Sequence, residues 1–233
     1  MSYVPERALI CTPHPDDAEI GAGGTAAQWI KQGAEVTLVV CTNGDKGSED
    51  PEMTSERLAA IREKEQQAAA EVLGFKEVVF LRYPDGEIED TKDFRRDLVR
   101  QIRRFKPDVV LTTDPQRRTF YQHRDHRVTG QCVMDAVFPL ARDHLNFPEL
   151  KHEGLEPHKT EFIYFWGADE PDTFVDISDT LELKIQALMK HASQVAAERE
   201  AQMTKFLLER AKEAGKAQGM NAAEGFRVVQ MRR

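Results

Sequence analysis

Residues 7–19 read Arg-Ala-Leu-Ile-Cys-Thr-Pro-His-Pro-Asp-Asp-Ala-Glu, and this stretch decides the fold. Its first half, Arg7–Thr12, is a short apolar run of strand character. From Pro13 it turns polar at once, with a proline on either side of His14 fixing the backbone. Gly21–Gln32, rich in small residues and then helical, follows. The same rhythm continues outward. Glu35–Thr42 (EVTLVVCT) is a second strand rich in β-branched residues. Ser55–Leu73 is a long helix, with Leu58, Ile61, Ala68, Val72 and Leu73 at helical spacing and Gly74 as its stop. Glu77–Leu81 is a third strand, Asp93–Phe105 an amphipathic helix, and Asp108–Thr113 a fourth strand. Strands that are apolar throughout, alternating with helices, predict an α/β fold: a mostly parallel sheet covered by helices on both faces.

Beyond this core the pattern predicts a helix near Arg127–Val137 and an irregular stretch over Pro139–Lys159. Two short strands are expected at Phe162–Trp166 and Thr173–Ile177, helices over Asp179–His191 and Ala196–Gly215, and an edge strand at Phe226–Val229. No repeat or clear linker interrupts the 233 residues, so a single domain, 1–233, is expected.

Composition excludes several classes. Lys plus Arg is 32 against 40 Asp plus Glu, a net charge of −8, which argues against a general binder of nucleic-acid backbone. No apolar run approaches the roughly 20 residues that span a bilayer, and Met1–Arg7 carries no signal-peptide core, so neither membrane nor nucleic acid is an expected partner. Cys11, Cys41 and Cys132 are widely spaced without a CxxC pair, and read as buried reduced thiols of a cytoplasmic protein.

Open parallel sheets bind ligands at the carboxyl ends of their strands. His14, Asp16 and Asp17 stand at the end of the first strand with no Lys or Arg between them. Adjacent carboxylates there repel and titrate abnormally unless a cation relieves them, and imidazole plus carboxylate is an ordinary zinc ligand set. The competing reading is a turn whose Asp caps the next helix. The run Gly21-Ala22-Gly23-Gly24 does not match the G-x-G-x-x-G dinucleotide pattern, and its small residues instead let a helix approach the sheet. A second cluster, His123-Arg124-Asp125-His126, follows the fourth strand and belongs to the same rim. Asp125 is expected either to cap a helix or to orient an imidazole. Together the clusters supply three ligands plus spare acid and base groups, the makeup of a catalytic zinc site with an open position.

With these two motifs the chain resembles the PIG-L/LmbE-like deacetylase family. The resemblance is carried by Pro13-His14-Pro15-Asp16-Asp17-Ala18-Glu19, Gly21, Gly23-Gly24, Arg62-Glu63-Lys64-Glu65, Leu73-Gly74, Asp85-Gly86, and His123-Arg124-Asp125-His126 with Gly130, and covers most of residues 8–130. It implies a Rossmann-like fold and a zinc-dependent hydrolase acting on N-acetylglucosaminyl compounds, with a small-molecule amino sugar as substrate. Carried over by position, His14, Asp17 and His126 bind the metal, zinc or alternatively Fe2+. Asp16 is the general base, and His123 the acid or electrophilic partner with Asp125 behind it. Tyr121 assists the oxyanion, and Arg62 contacts the sugar. Arg124 stands where many members carry Pro. His191, within His191-Ala192-Ser193-Gln194, is read as a substrate contact or as a helix cap or core-edge residue, and Asn43 and Asp85-Gly86, on the active rim, as substrate contacts or simple turns. Self-association into a homo-oligomer is an expectation of the family. The rival functions are a two-metal phosphoesterase and a non-catalytic nucleotide-binding module.

Overall fold

β1 (Arg7–Thr12) lies near the middle of a seven-stranded sheet of order β3-β2-β1-β4-β5-β7-β6, in a computed structural model that describes residues 3–118 and 122–231. β2 (Glu35–Thr42), β3 (Glu77–Tyr83), β4 (Val109–Thr113) and β5 (Phe162–Trp166) run parallel to β1, with Cys11 paired to both Val39 and Thr112. Alternation of side chains along each strand feeds two cores. Leu9 and Cys11 face one, with Phe94, Leu98 and Ile102 of α3 (Lys92–Phe105) and Val133 of α4 (Arg124–Asp135). Ala8 and Ile10 face the other, with Ala22, Ala26 and Trp29 of α1 (Asp17–Lys31). The mostly parallel sheet with helices on both faces is as expected.

The small residues of α1 act in packing. A Cβ on Gly21 would lie 2.5 Å from the Trp166 ring, and one on Gly24 would lie 2.8 Å from Ile177. α2 (Ser55–Leu73) begins at a Thr54 cap accepting from the Arg57 N–H and ends at Gly74, φ 83°. Its buried stripe runs Leu58, Arg62, Gln66, Ala69, Ala70 and Leu73, a different phase from the apolar spacing read in the sequence. α5 is a single turn, Glu149–His152, in the irregular region; α6 (Leu181–Leu188) and α7 (Glu200–Lys216) follow.

The C-terminal strand corrects an expectation. β7 (Ala223–Gln230) is longer than the predicted edge strand and is interior: it pairs antiparallel with β5 on one side and with β6 (Thr173–Asp176) on the other, leaving β6 at the edge. Phe226 is fully buried in the core of α1. No helix among the described residues is long and apolar enough to cross a membrane.

Strand order reverses between β1 and β4, the topological switch point of the parallel sheet, where a ligand crevice is expected. The His14 cluster leaves β1 there, and the His123 cluster follows β4.

Candidate metal centre

The chain leaving β1 turns sharply at Asp16, whose φ is 99°. Such a conformation costs of order 1–3 kcal/mol for a residue with a side chain and persists only when its surroundings hold it. Three neighbours do so. The Asp16 N–H donates to Gln66 Oε1 (3.2 Å), its carboxylate accepts from Arg62 (3.1 Å), and Arg62 also donates to the Pro15 carbonyl (2.6 Å). Arg62 reaches the Gly44 carbonyl as well (3.0 Å), tying the loop after β1 to the loop after β2. Gly44 has φ 61°, and a Cβ there would sit 2.5 Å from the guanidinium, so only glycine fits. Asp16 stands at the start of α1 without a side-chain capping bond, so it is not the helix cap the sequence also allowed.

His14, Asp17 and His126 converge. Asp17 Oδ2 lies 3.1 Å from His14 Nδ1 and 3.2 Å from His126 Nε2, and one ligand atom from each residue lies within 4.8 Å of the others. Metal–ligand bonds of 2.0–2.1 Å in a tetrahedron place ligand atoms about 3.3 Å apart, so the donor types and spacing fit a divalent ion. Nε2 of His14 faces Asp125 Oδ2 and Asp85 Oδ1, each at 3.1 Å. His14, Asp85 and His123 form a second cluster of ligand-type groups. A neutral imidazole has one lone pair and one N–H. If Nδ1 is the ligand, Nε2 carries the proton and the carboxylates behind it are its acceptors, so both clusters cannot hold ions through His14 together.

Electrostatics follow from this crowding. Burial works against the His14 imidazolium, yet Asp125, Asp17 and Asp85 hold its pKa up at about 12. Burial also disfavours the Asp17 carboxylate, but His126 and His14 hold it well below the usual range. Asp16 goes the other way: burial and then the Asp17 charge push it up to about 7, against the pull of Arg62.

His123 is half-exposed, and its Nδ1 accepts the Asp125 N–H at the start of α4 (3.2 Å). The ring is therefore its own helix cap. Asp125 was expected behind His123, but its carboxylate is 4.0 Å from that ring and instead contacts His14 while accepting the Gly86 N–H (2.7 Å). It is fully buried, so it acts on the site through His14. Arg124 donates to the Gly86 carbonyl (3.1 Å), so neighbouring residues hold both sides of the loop that carries Asp85.

His191 corrects a second expectation. It is 0% exposed and lies beneath the site, its Nε2 3.5 Å from Glu19, so it is not a surface that touches substrate. Glu19 accepts from Gln66 (2.8 Å), completing a buried chain Asp16–Gln66–Glu19–His191. Asn43 is half-buried and accepts the Asp45 N–H (3.3 Å), which is the turn reading of that residue. Tyr121 lies outside the described residues. Gln66 and Glu19 join the site without a motif-derived role, and Asp85, on the loop after β3, faces His14. The signal for Gln66 was present: it follows Arg62 by one helical turn, on the same face.

Known proteins resemble this chain over most of its length. Residues 9–137 match the family model PIG-L, described as GlcNAc-PI de-N-acetylase. The chain is 34% identical to a diacetylchitobiose deacetylase of Thermococcus kodakarensis, over 96% of this chain and 83% of that one. It is 29% identical to a probable N-acetyl-α-D-glucosaminyl L-malate deacetylase of Bacillus anthracis, over 82% of each. Among solved structures, the N,N′-diacetylchitobiose deacetylase of Pyrococcus horikoshii in complex with an inhibitor superposes with a TM-score of 0.91 at 33% identity, covering 97% of this chain and 84% of that one.

Proposed function

The chain belongs to the PIG-L family, and from that premise we propose that it removes the N-acetyl group of an N-acetylglucosamine-containing substrate, using one zinc ion held by His14, Asp17 and His126. It is a hydrolytic N-deacetylase, so the products are acetate and a free amine. The observation that carries the metal assignment is the meeting of His14 Nδ1 and His126 Nε2 about Asp17 Oδ2, at 3.1 and 3.2 Å from it, beside a second carboxylate, Asp16, that is not spent on a ligand position.

Zinc bound there supplies a Lewis-acid centre that acidifies water and polarises the acetamide carbonyl. Asp16 takes the proton of the attacking water and returns it to the departing sugar amine. Its strained backbone is fixed by Gln66 and Arg62, so the carboxylate is aimed before substrate arrives. His123, with Nδ1 occupied by the Asp125 N–H, carries its proton on Nε2 when neutral, and that N–H is a donor for the oxyanion of the tetrahedral intermediate. Asp125 and Asp85 orient His14, and Arg62 serves the substrate pocket by holding Asp16 and the Gly44 loop together.

The test is amine release from a panel of N-acetylated sugars, with metal-stripped and zinc-restored protein. The expected result is release only after restoration, at close to one zinc per chain. Full activity without metal, a requirement for two ions, or no release from any N-acetylglucosaminyl compound overturns the reading.

A further inference from the structure

The loop after β4 carries one more charged group on the catalytic rim. Arg117 follows Thr113 by four residues and folds back over Gly167, just past the end of β5. The fit is close: a Cβ on Gly167 would fall 1.3 Å from a guanidinium nitrogen of Arg117, and φ there is 70°. Arg117 lines a cleft of about 540 Å³ together with Arg118 and the ion pair Arg227–Asp114, and is near enough to Asp17 to feel its charge.

The arginines of this cleft differ in what they hold. Arg227 is neutralised by two hydrogen bonds to Asp114, 2.7 and 3.0 Å. Among the described residues Arg117 makes one long bond, 3.5 Å, to the Trp166 carbonyl, and its Nε is buried without a partner. Residues 119–121 are Thr, Phe and Tyr, so the following loop brings no acid. Burial works against the charge of Arg117, and so does Arg210 of α7, while Asp114, Asp17 and Asp169 favour it. Asp169 and Glu170 also line the cleft, and Asp169 accepts the Arg118 N–H (2.6 Å). With Arg227 and Asp114 cancelling, Arg117 and Arg118 balance these two carboxylates within the cleft, and Arg210, near enough to act on Arg117, adds one further positive charge. A half-buried guanidinium with unused donors is a costly arrangement unless an anion completes it, and its planar fork suits carboxylate or phosphate oxygens.

We propose that Arg117, flanked by Arg118 and Arg210, is a specificity residue that binds an anionic oxygen group, carboxylate or phosphate, on the portion of the substrate attached to the N-acetylglucosamine. The proposal rests on the deacetylase reading above and narrows it: the preferred substrate is a charged conjugate rather than a neutral oligosaccharide.

The experiment compares kcat/KM of the zinc-loaded enzyme for N,N′-diacetylchitobiose, N-acetylglucosaminyl malate and N-acetylglucosamine 1-phosphate, in wild type, Arg117→Gln and Arg210→Gln. An anionic substrate is expected to be preferred by at least about tenfold, one charge-assisted pair. Preference for either the malate conjugate or the phosphate over the chitobiose supports the proposal, and their order says which oxygen group Arg117 holds. The anionic-to-neutral ratio is expected to fall at least about fivefold in Arg117→Gln and by less in Arg210→Gln, whose exposed position spares the fold. A wild-type ratio near one, or an unchanged ratio in both variants, overturns the proposal while leaving the deacetylase reading intact. No turnover of any of the three overturns the deacetylase reading itself.

Discussion

Replacing Asp125 with Asn tests whether the site's organisation runs through His14. In the structure Asp125 Oδ2 serves two donors, the Gly86 N–H at 2.7 Å and His14 Nε2 at 3.1 Å, while Oδ1 is buried without a partner. Asparagine keeps the shape but not the charge. If its amide oxygen stays with the two donors, its NH2 enters the unpartnered Oδ1 position, at a cost of about 1–3 kcal/mol for a buried donor left unmade. If the amide flips, NH2 faces two N–H groups, which is worse. The His14 bond meanwhile falls from a charge-assisted one, about 1.5–3 kcal/mol, to a neutral one near 1. The expected results are an apoprotein destabilised by about 1–3 kcal/mol in denaturant titration and a metal affinity reduced about 10–100-fold in a chelator competition. Asp85→Asn should act in the same direction more weakly, because Asp85 lies at the mouth of its loop and shares the same nitrogen. A folded Asp125→Asn protein whose zinc Kd stays within about threefold of wild type would refute the claim that Asp125 backs a ligand.

Asp16→Asn should retain zinc but lose at least about 10²-fold in turnover, measured by amine release alongside metal analysis. Its apoprotein should be more stable than wild type at pH 8 in a thermal melt: an acid whose folded pKa is raised to about 7 costs stability above that pH, and asparagine removes the charge while tolerating positive φ. His14 has the opposite sign. Its folded pKa, raised to about 12, stabilises the apoprotein fully below about pH 6.5 and progressively less toward pH 12, and the ring must lose that proton to bind metal. Calorimetric zinc titrations in buffers of different ionisation enthalpy should therefore show at least about one proton released per ion between pH 6.5 and 8. Arg62→Lys should lower kcat/KM and lower Tm while keeping zinc, since one ammonium cannot reach the Pro15, Gly44 and Asp16 oxygens that the guanidinium spans; unchanged kinetics with a lowered Tm would confine Arg62 to a structural role. Arg103→Met should cost about 1.5–3 kcal/mol in denaturant titration, because Arg103 is 1% exposed and donates to the carbonyls of Leu140, Ala141, Asp143, Asn146 and Phe147, of which Ala141, Asp143 and Phe147 keep a backbone donor.

The parallel sheet was legible because its evidence is local: RALICT, EVTLVVCT and DVVLTT are continuous apolar runs separated by helical spacing. The meeting of the two His/Asp motifs was legible because each sits within a few residues of a strand end, and the topology does the rest. What escaped was long-range. Nothing in Phe226–Val229 says that it enters between β5 and β6 rather than closing the sheet; that depends on which edge β5 leaves open after the parallel strands are laid down. The partner of Asp125 escaped for the same reason. Its neighbour in sequence is His123, but the turn of α4 gives the backbone N–H to His123 and sends the carboxylate across to His14, 111 residues away.

The polar stripe on α2 was a readable signal that a purely apolar count passes over. Arg62 and Gln66 occupy positions that Leu58, Ala69 and Leu73 mark as buried. A charged and an amide side chain on that stripe must find polar partners inside the protein. The available partners at one end of the sheet are the strained turn at Asp16 and the carbonyls of the two adjoining loops. Arg62 is then better understood as the fastening of Asp16, the proposed base, than as a contact reaching out from a charged surface. The same logic places His191: a histidine without exposure, beneath Glu19 and Gln66, can influence turnover only through the position of Asp16. A C-terminal segment outside the family-matched residues 9–137 thereby becomes part of the support of the site.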